Sequence, residues 1–179
     1  MMGQPLPRSE LVTYLATYRR TAFRLEQQRQ YLIESEQKSL RTFLSGQPRP
    51  PVEFEPWFAL VRGHVDAGRS MGRVRIQEDP PTDYQIWQNW LARWNTGSGE
   101  VIRRMTRQKA YEIGLLPAAG EADWWLLDEQ LLIMMWFHVD GCPQLYELVD
   151  DPTAVAQACA WRDLAVRHST PDTPKGSGA

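Results

Sequence analysis

Cysteine is scarce in this chain. Cys142 and Cys159 are the two among 179 residues, and no Cys-x-x-Cys or Cys/His spacing suits zinc. That excludes a disulfide scaffold and fits a reducing cytoplasm. Histidine is also rare, with three residues, so imidazole chemistry has few carriers. Long apolar runs are missing. The most apolar stretch, 124–139, is interrupted by Asp128, Glu129 and Gln130 and is too short to span a bilayer. The opening MMGQPLPRSEL has no apolar core of signal-peptide length. Neither sign of charge dominates: the net charge is −2, so no global basic excess points to nucleic acid. These absences describe a soluble cytoplasmic protein without membrane contact.

Aromatic and apolar residues, by contrast, are plentiful. Eight tryptophans are many for one small chain, and most belong in a core or at a partner surface. The hydrophobic share of 42% against 23% charged is ordinary globular usage. The stretch DWWLLDEQLLIMMWFHVDGCPQLYELVDDP carries two apolar runs and a third after Asp140-Gly141. Polar Asp128-Glu129-Gln130 breaks the first pair, and Asp140-Gly141 suits a tight hairpin turn. The expectation is an antiparallel meander of strands 124–127, 131–139 and 144–149. Its middle strand would send Leu131, Ile133, Met135, Phe137 and Val139 to one face and Leu132, Met134, Trp136 and His138 to the other. Both faces are covered, so that strand lies between layers.

Toward the N-terminus the pattern predicts helices. Leu11, Tyr14, Leu15 and Tyr18 recur at three- and four-residue steps to about Arg20, and a second helix opens at Ser35 and stops at Gly46. Between them the signal is mixed: Phe23 and Leu25 alternate as in a strand, whereas 26–30 would sit on a helix surface. The proline-rich 48–56 marks a boundary. Then follow a helix from Pro56, an alternating strand 72–77, a helix opened by Thr82-Asp83, a strand 100–105, a short helix 107–113 and, after the meander, a helix from Pro152. Trp87, Trp90, Leu91 and Trp94 share one stripe. The helix between strands 72–77 and 100–105 makes them parallel. The fold class is α/β (α+β): a mixed sheet of about five strands (72–77, 100–105, 124–127, 131–139, 144–149) with helices packed on it. The domain organisation is a helical N-terminal arm, 1–47, an α/β core, 56–168, and a disordered tail, 169–179.

Charge is distributed unevenly. From Arg62 to Lys109 nine Lys/Arg face five Asp/Glu; from Ala110 to Trp161 there are nine acids and no base. Arg73, Arg75, Arg103 and Arg104 fall on two neighbouring strands. With Trp87 and Trp94 nearby they form a candidate strip for an anion or nucleic acid, unless they pair with acids of the same fold. Gly97-Ser98-Gly99 lacks the lysine of a phosphate loop. His138, Asp140, Asp123 and Asp128 read as turn and strand-end residues and not as a metal site. No catalytic set and no cofactor follow from the residues.

The ordered pieces FRLEQQRQY, FLSG, GRVRIQEDPPTDY, SGEVIRRM, DWWLLDEQLLIMMWF, ELVDDP and WRDLA, across about 20–168, resemble an actinobacterial family of unknown function. Its members are small, regulatory-looking and often encoded near helix-turn-helix regulators. The resemblance implies a sheet like that of phospholipase D. Such chemistry needs a histidine nucleophile with a lysine two residues later, and His64, His138 and His168 lack that lysine. The reading is therefore a non-enzymatic regulatory protein binding a protein partner, with a helix-turn-helix regulator as first choice. A phosphate-ester-binding degenerate hydrolase and a direct nucleic-acid module are alternatives, and a homo-oligomer is left open.

Overall fold

A mixed β-sheet of eight strands, in the order β1-β7-β6-β5-β2-β3-β4-β8, carries helices on both faces. The computed structural model describes residues 3–172. In chain order the elements are β1 (Gln4–Pro5), α1 (Arg8–Thr17), β2 (Thr21–Glu26), α2 (Gln37–Leu44), α3 (Glu55–Asp66), β3 (Ser70–Gln77) and α4 (Asp83–Gly97). They continue with β4 (Val101–Thr106), α5 (Arg107–Glu112), β5 (Asp123–Leu127), β6 (Leu131–Phe137), β7 (Pro143–Val149), α6 (Pro152–His168) and β8 (Thr170–Pro171).

Strands β2, β3 and β4 run parallel, as helical crossovers require. Strands β5, β6 and β7 form the expected antiparallel meander. The expectation of about five strands is corrected to eight. Two of the additions, β1 and β8, are two-residue edge strands, too short to show periodicity. The third, β2, lies between β3 and β5. Residues 1–47 therefore hold a central strand as well as helices. Its alternation was obscured because Arg24 and Glu26 occupy positions that an ordinary buried strand fills with apolar side chains.

Alternation along the strands sorts the core into layers. One face sends Leu25, Val74, Trp124 and Leu132 against α6 and the 110–119 segment. The other sends Ala22, Met71, Trp125 and Ile133 against α1 and α3. A third cluster, with Tyr31, Phe58, Tyr84, Trp87 and Leu91, extends that second layer through α4. Trp87, Trp124 and Trp125 are fully enclosed. Each such side chain contributes about 1.5–3 kcal/mol of transfer free energy, which is why the tryptophan excess organises the interior.

Strand β6 ends at Phe137, not at 139. A register irregularity falls between Trp136 and Phe137, and the chain then leaves the ladder in a loop closed by Gly141 N–H to His138 C=O at 2.8 Å. Gly141 has φ +88° and lies against the backbone of Gln30, where a Cβ would come within 2.6 Å of the Gln30 carbonyl oxygen. Only glycine permits both. Leu32 N–H bonds to Gly141 C=O at 2.9 Å, so this loop supports the segment that follows β2. Helix α4 starts as its sequence predicts. Thr82 Oγ1 accepts from Gln85 N–H while Gln85 Oε1 accepts from Thr82 N–H, a reciprocal cap. Of the expected tail, 173–179 lies outside the described residues, while Thr170–Pro171 pairs with β4.

Candidate ligand cavity

At the C-terminal ends of parallel β2 and β3, beneath α1 and α4, lies a cavity of about 310 Å³. This end of an open sheet is where α/β folds place ligands. Its floor is set by strand register. Arg24 lies beside Arg73, and Glu26 beside Arg75, all on the face away from Leu25 and Val74. Glu26 accepts from Arg75 Nε at 2.9 Å, Arg73 Nη1 at 3.2 Å and Gln88 Nε2 at 3.2 Å, with Arg24 Nη1 at 3.7 Å. Burial alone would raise the Glu26 carboxyl, yet the three guanidiniums hold it far below the usual carboxylate range.

Two further acids complete the balance. Glu100 receives Arg73 Nε at 2.6 Å. Asp123, fully enclosed, receives Arg24 Nη2 at 3.0 Å, Gln27 N–H at 2.9 Å and the Tyr31 hydroxyl. Burial pushes Asp123 upward, while Arg24 and Tyr31 oppose that shift. Arg24, Arg73 and Arg75 are thus matched by Glu26, Asp123 and Glu100. The guanidiniums also lie over rings: Arg24 over Tyr31 and Trp125, Arg73 over Trp57 and Trp125, at 5.4–5.9 Å.

The walls are aromatic. Phe137, Tyr31, Tyr84, Trp87 and Phe54 follow one another with centroid separations of 5.0, 5.6, 5.2 and 6.1 Å, and Leu11 and Leu15 of α1 close the opposite side. Glu36, in the 3-10 turn Glu34–Glu36 before α2, also lines the cavity. It accepts from the Tyr84 hydroxyl at 2.5 Å and makes no ion pair among the described residues. Burial pushes its carboxyl up to about 7, with the Tyr84 hydrogen bond opposing and Glu26 reinforcing.

The candidate strip divides. Arg73, Arg75 and Trp87 meet at the cavity. Arg103 instead bonds Ser169, through Oγ at 2.9 Å and through the carbonyl at 2.6 Å. Arg104 pairs with Asp172 at 2.6 Å. Trp94 packs against Trp90 at a tilt of 58° and a centroid distance of 4.7 Å, under Arg93. Sequence reading did not find Arg24, Glu26, Tyr31, Glu36 or Tyr84 as site residues, and it set Asp123 aside as a strand-end residue. The available signal was the alternation of Phe23 and Leu25 with two charges, the mark of a strand with one polar buried face.

The histidines lie away from the cavity lining. His64 is buried; its Nε2–H donates to Leu15 C=O at 2.8 Å and its Nδ1 faces Arg69 Nη1 at 3.2 Å. Burial lowers its pKa, and the neutral ring has both nitrogens engaged. Asp140 accepts from Cys142 N–H as a turn residue, and both cysteines are free thiols. Among the described residues no His/Cys/Asp/Glu group is arranged to hold a metal, and no helix is long and apolar enough to cross a membrane.

The layers and sheet place the protein among phospholipase-D-like folds. A phospholipase D family member, Nuc from Salmonella typhimurium, aligns over 92% of this chain and 89% of its own at 9% identity, with a TM-score of 0.53. NucT from Helicobacter pylori aligns over 91% and 89% at 8% identity, with a TM-score of 0.52. At these identities the likeness is one of fold. Within that fold, the chain belongs to the family described as a domain of unknown function, DUF6879, which matches residues 9–173. No curated protein matches the sequence.

Proposed function

We propose that the protein is a non-enzymatic regulatory module that binds a small organic molecule in the cavity between β2, β3, α1 and α4. The observation that carries this reading is the pairing of a preformed, aromatic-walled space with a charged floor whose groups are already matched to one another. Small-molecule sites combine an apolar lining with a few fixed polar groups in this way. Covalent chemistry of the phospholipase D kind would need a histidine nucleophile facing the space. The floor instead holds guanidiniums and carboxylates engaged with each other, and His64 is committed elsewhere.

A protein partner remains part of this proposal. The helix-turn-helix regulator suggested by the sequence resemblance would read the occupied state through α1 and the 27–36 segment, both of which border the cavity. A direct nucleic-acid role has less support, because Arg73, Arg75 and Arg104 are spent on internal acids and an arginine so paired releases few counterions from DNA.

The test is a thermal-shift screen of small metabolites, followed by NMR mapping of the hits. Binding at a hundredfold excess over Kd stabilises by about 2.7 kcal/mol. Hits should perturb the tryptophan indoles and α1 amides, and Leu11→Trp, which narrows the space, should abolish them. Hits confined to other surfaces would overturn the assignment.

A further inference from the structure

We propose that the cavity selects an organic cation, an ammonium or quaternary ammonium group on an aromatic or apolar body, with Glu36 as its counter-charge. This rests on the cavity being a ligand site and names the chemistry of the ligand. Three independent observations lead to it.

The first is charge balance. Each guanidinium of the floor already has a carboxylate, Arg24 on Asp123, Arg73 on Glu100, and Arg75 on Glu26. Glu36 is the fourth acid and has no cation among the described residues, its one side-chain bond there being from the Tyr84 hydroxyl. An anion entering the floor would have to displace Glu26 from three arginines. A monocation meets an acid that lacks a counter-ion.

The second is the surface beside that acid. Tyr84 carries the bond to Glu36, Trp87 lies 5.2 Å from Tyr84, and Phe54 lies 6.1 Å from Trp87. No guanidinium stands over these three rings, whereas Tyr31, Trp57 and Trp125 already have one. Aromatic rings beside a carboxylate, with no guanidinium competing for them, are the arrangement that holds ammonium groups.

The third is size. The space of about 310 Å³ is at the lower end of small-ligand sites and accommodates a single-ring ammonium compound.

The groups facing Glu36 are Tyr84 of α4, Tyr31 of the 27–33 segment, Glu26 and Arg24 of β2 and Arg75 of β3; the exposed Arg8 of α1 stands at the cavity rim. Glu26 disfavours the ionised form of Glu36, while Arg24 and Arg75 favour it. Because burial is the largest influence and raises the carboxyl to about 7, the empty site holds a proton at pH 6 that a bound cation expels.

Benzyltrimethylammonium is the probe, since its charge does not change with pH, with benzyl alcohol and phenylacetate as neutral and anionic counterparts. Titration calorimetry on the full chain should show the cation binding, the affinity rising about tenfold from pH 6 to pH 8, and close to one proton released per ligand at pH 6. Glu36→Gln should weaken it at least tenfold at pH 8 and remove the pH dependence; circular dichroism would establish that the variant is folded. Tyr84→Phe, which removes the hydroxyl that favours ionised Glu36, should shift the pH dependence of binding to higher pH. If benzyl alcohol or phenylacetate binds in the cavity as well as the cation does, or Glu36→Gln binds unchanged, the cation assignment fails while the cavity reading survives. If none of these probes binds and the metabolite screen also finds no ligand in the cavity, both fail.

Discussion

Glu26 and Glu36 are two carboxylates ten residues apart in sequence whose pKa values move oppositely although burial raises both, because Glu26 has three guanidiniums and Glu36 makes no ion pair among the described residues. Glu36 has a carboxyl raised from 4.5 to about 7. A folded-state value above the unfolded one contributes stability that is present below about pH 4.5 and is lost as pH rises through about 7. The difference corresponds to at most about 3 kcal/mol, and partial exposure reduces it to about 1–2 kcal/mol. Glu36→Gln should therefore be more stable than the parent by that amount at pH 8 and nearly equal to it at pH 4.5. Urea denaturation at the two pH values checks this; equal midpoints at pH 8 would show that the carboxyl is not destabilised by its surroundings. Glu26 has the opposite sign. Its folded value is depressed, so its contribution is present above the ordinary carboxylate pKa and is lost on acidification below it. Glu26→Ala leaves Arg75 without a carboxylate and Arg73 and Arg24 with one each, and truncating one side of a buried ion network costs about 3–5 kcal/mol. Chemical denaturation at pH 7 should register most of that loss, and a loss below about 1 kcal/mol would mean that water reaches the floor and solvates the arginines.

The turn between β5 and β6 makes the same point for an element. Asp128 and Glu129 both have positive φ, 55° and 59°, the geometry that matches hairpin twist and that disfavours residues with a Cβ. Asp128 is retained because its carboxylate caps the neighbouring segment, accepting from Arg19, Arg20 and Thr21 N–H at 2.8, 2.7 and 3.0 Å. Those three bonds fix where β2 begins, and they hold the Asp128 pKa down against burial. Glu129 has only an exposed pair with Arg162, of little worth. Glu129→Gly should stabilise by about 0.5–1 kcal/mol through relief of φ, whereas Asp128→Gly, which gains the same relief but loses the carboxylate that accepts three N–H bonds, should destabilise; paired thermal melts distinguish the two. The sequence showed the polar break at 128–130 and thus the hairpin, but not this long-range bond set, because nothing local in Asp128 says that residues more than a hundred positions earlier need an acceptor. The same limit explains β2. The meander, the parallel pair and α4 were legible since their apolar spacing is regular and their caps are local. Arg24 and Glu26 broke the spacing of β2 because their partners, Asp123 of β5 and Arg73 and Arg75 of β3, come from two other segments of sequence. Half of the cavity was visible as Arg73, Arg75 and Trp87; the other half depended on that strand.

At the scale of the whole molecule, the position of β2 decides what the N-terminal third is. A detachable helical arm could be removed and leave a folded core of 56–168. The sheet does not allow that. Strand β2 donates one edge to β3 through the pairs Thr21–Ser70 to Glu26–Arg75 and the other to β5 through Ala22–Leu127 to Leu25–Trp124. Without it the sheet separates into β5-β6-β7 on one side and β3-β4-β8 on the other. The break exposes two long strand edges, and Arg73 and Arg75 lose Glu26. Leu25, fully enclosed between Val74 and Trp124, leaves a void in one layer, and α1 no longer covers Ile133 and Met135 in the other. Each loss alone amounts to several kcal/mol, against a total stability of about 5–15 kcal/mol for a domain. A chain beginning at residue 48 should therefore show no cooperative thermal transition and should aggregate. Adding residues 1–47 as a separate peptide should restore a cooperative transition to the truncated chain if β2 re-inserts between its two neighbours. A cooperative melt from the truncated chain alone would show that β3 and β5 can close the sheet by themselves, and the cavity, which takes Arg24, Glu26, Tyr31 and Glu36 from the missing part, would then be separable from the fold.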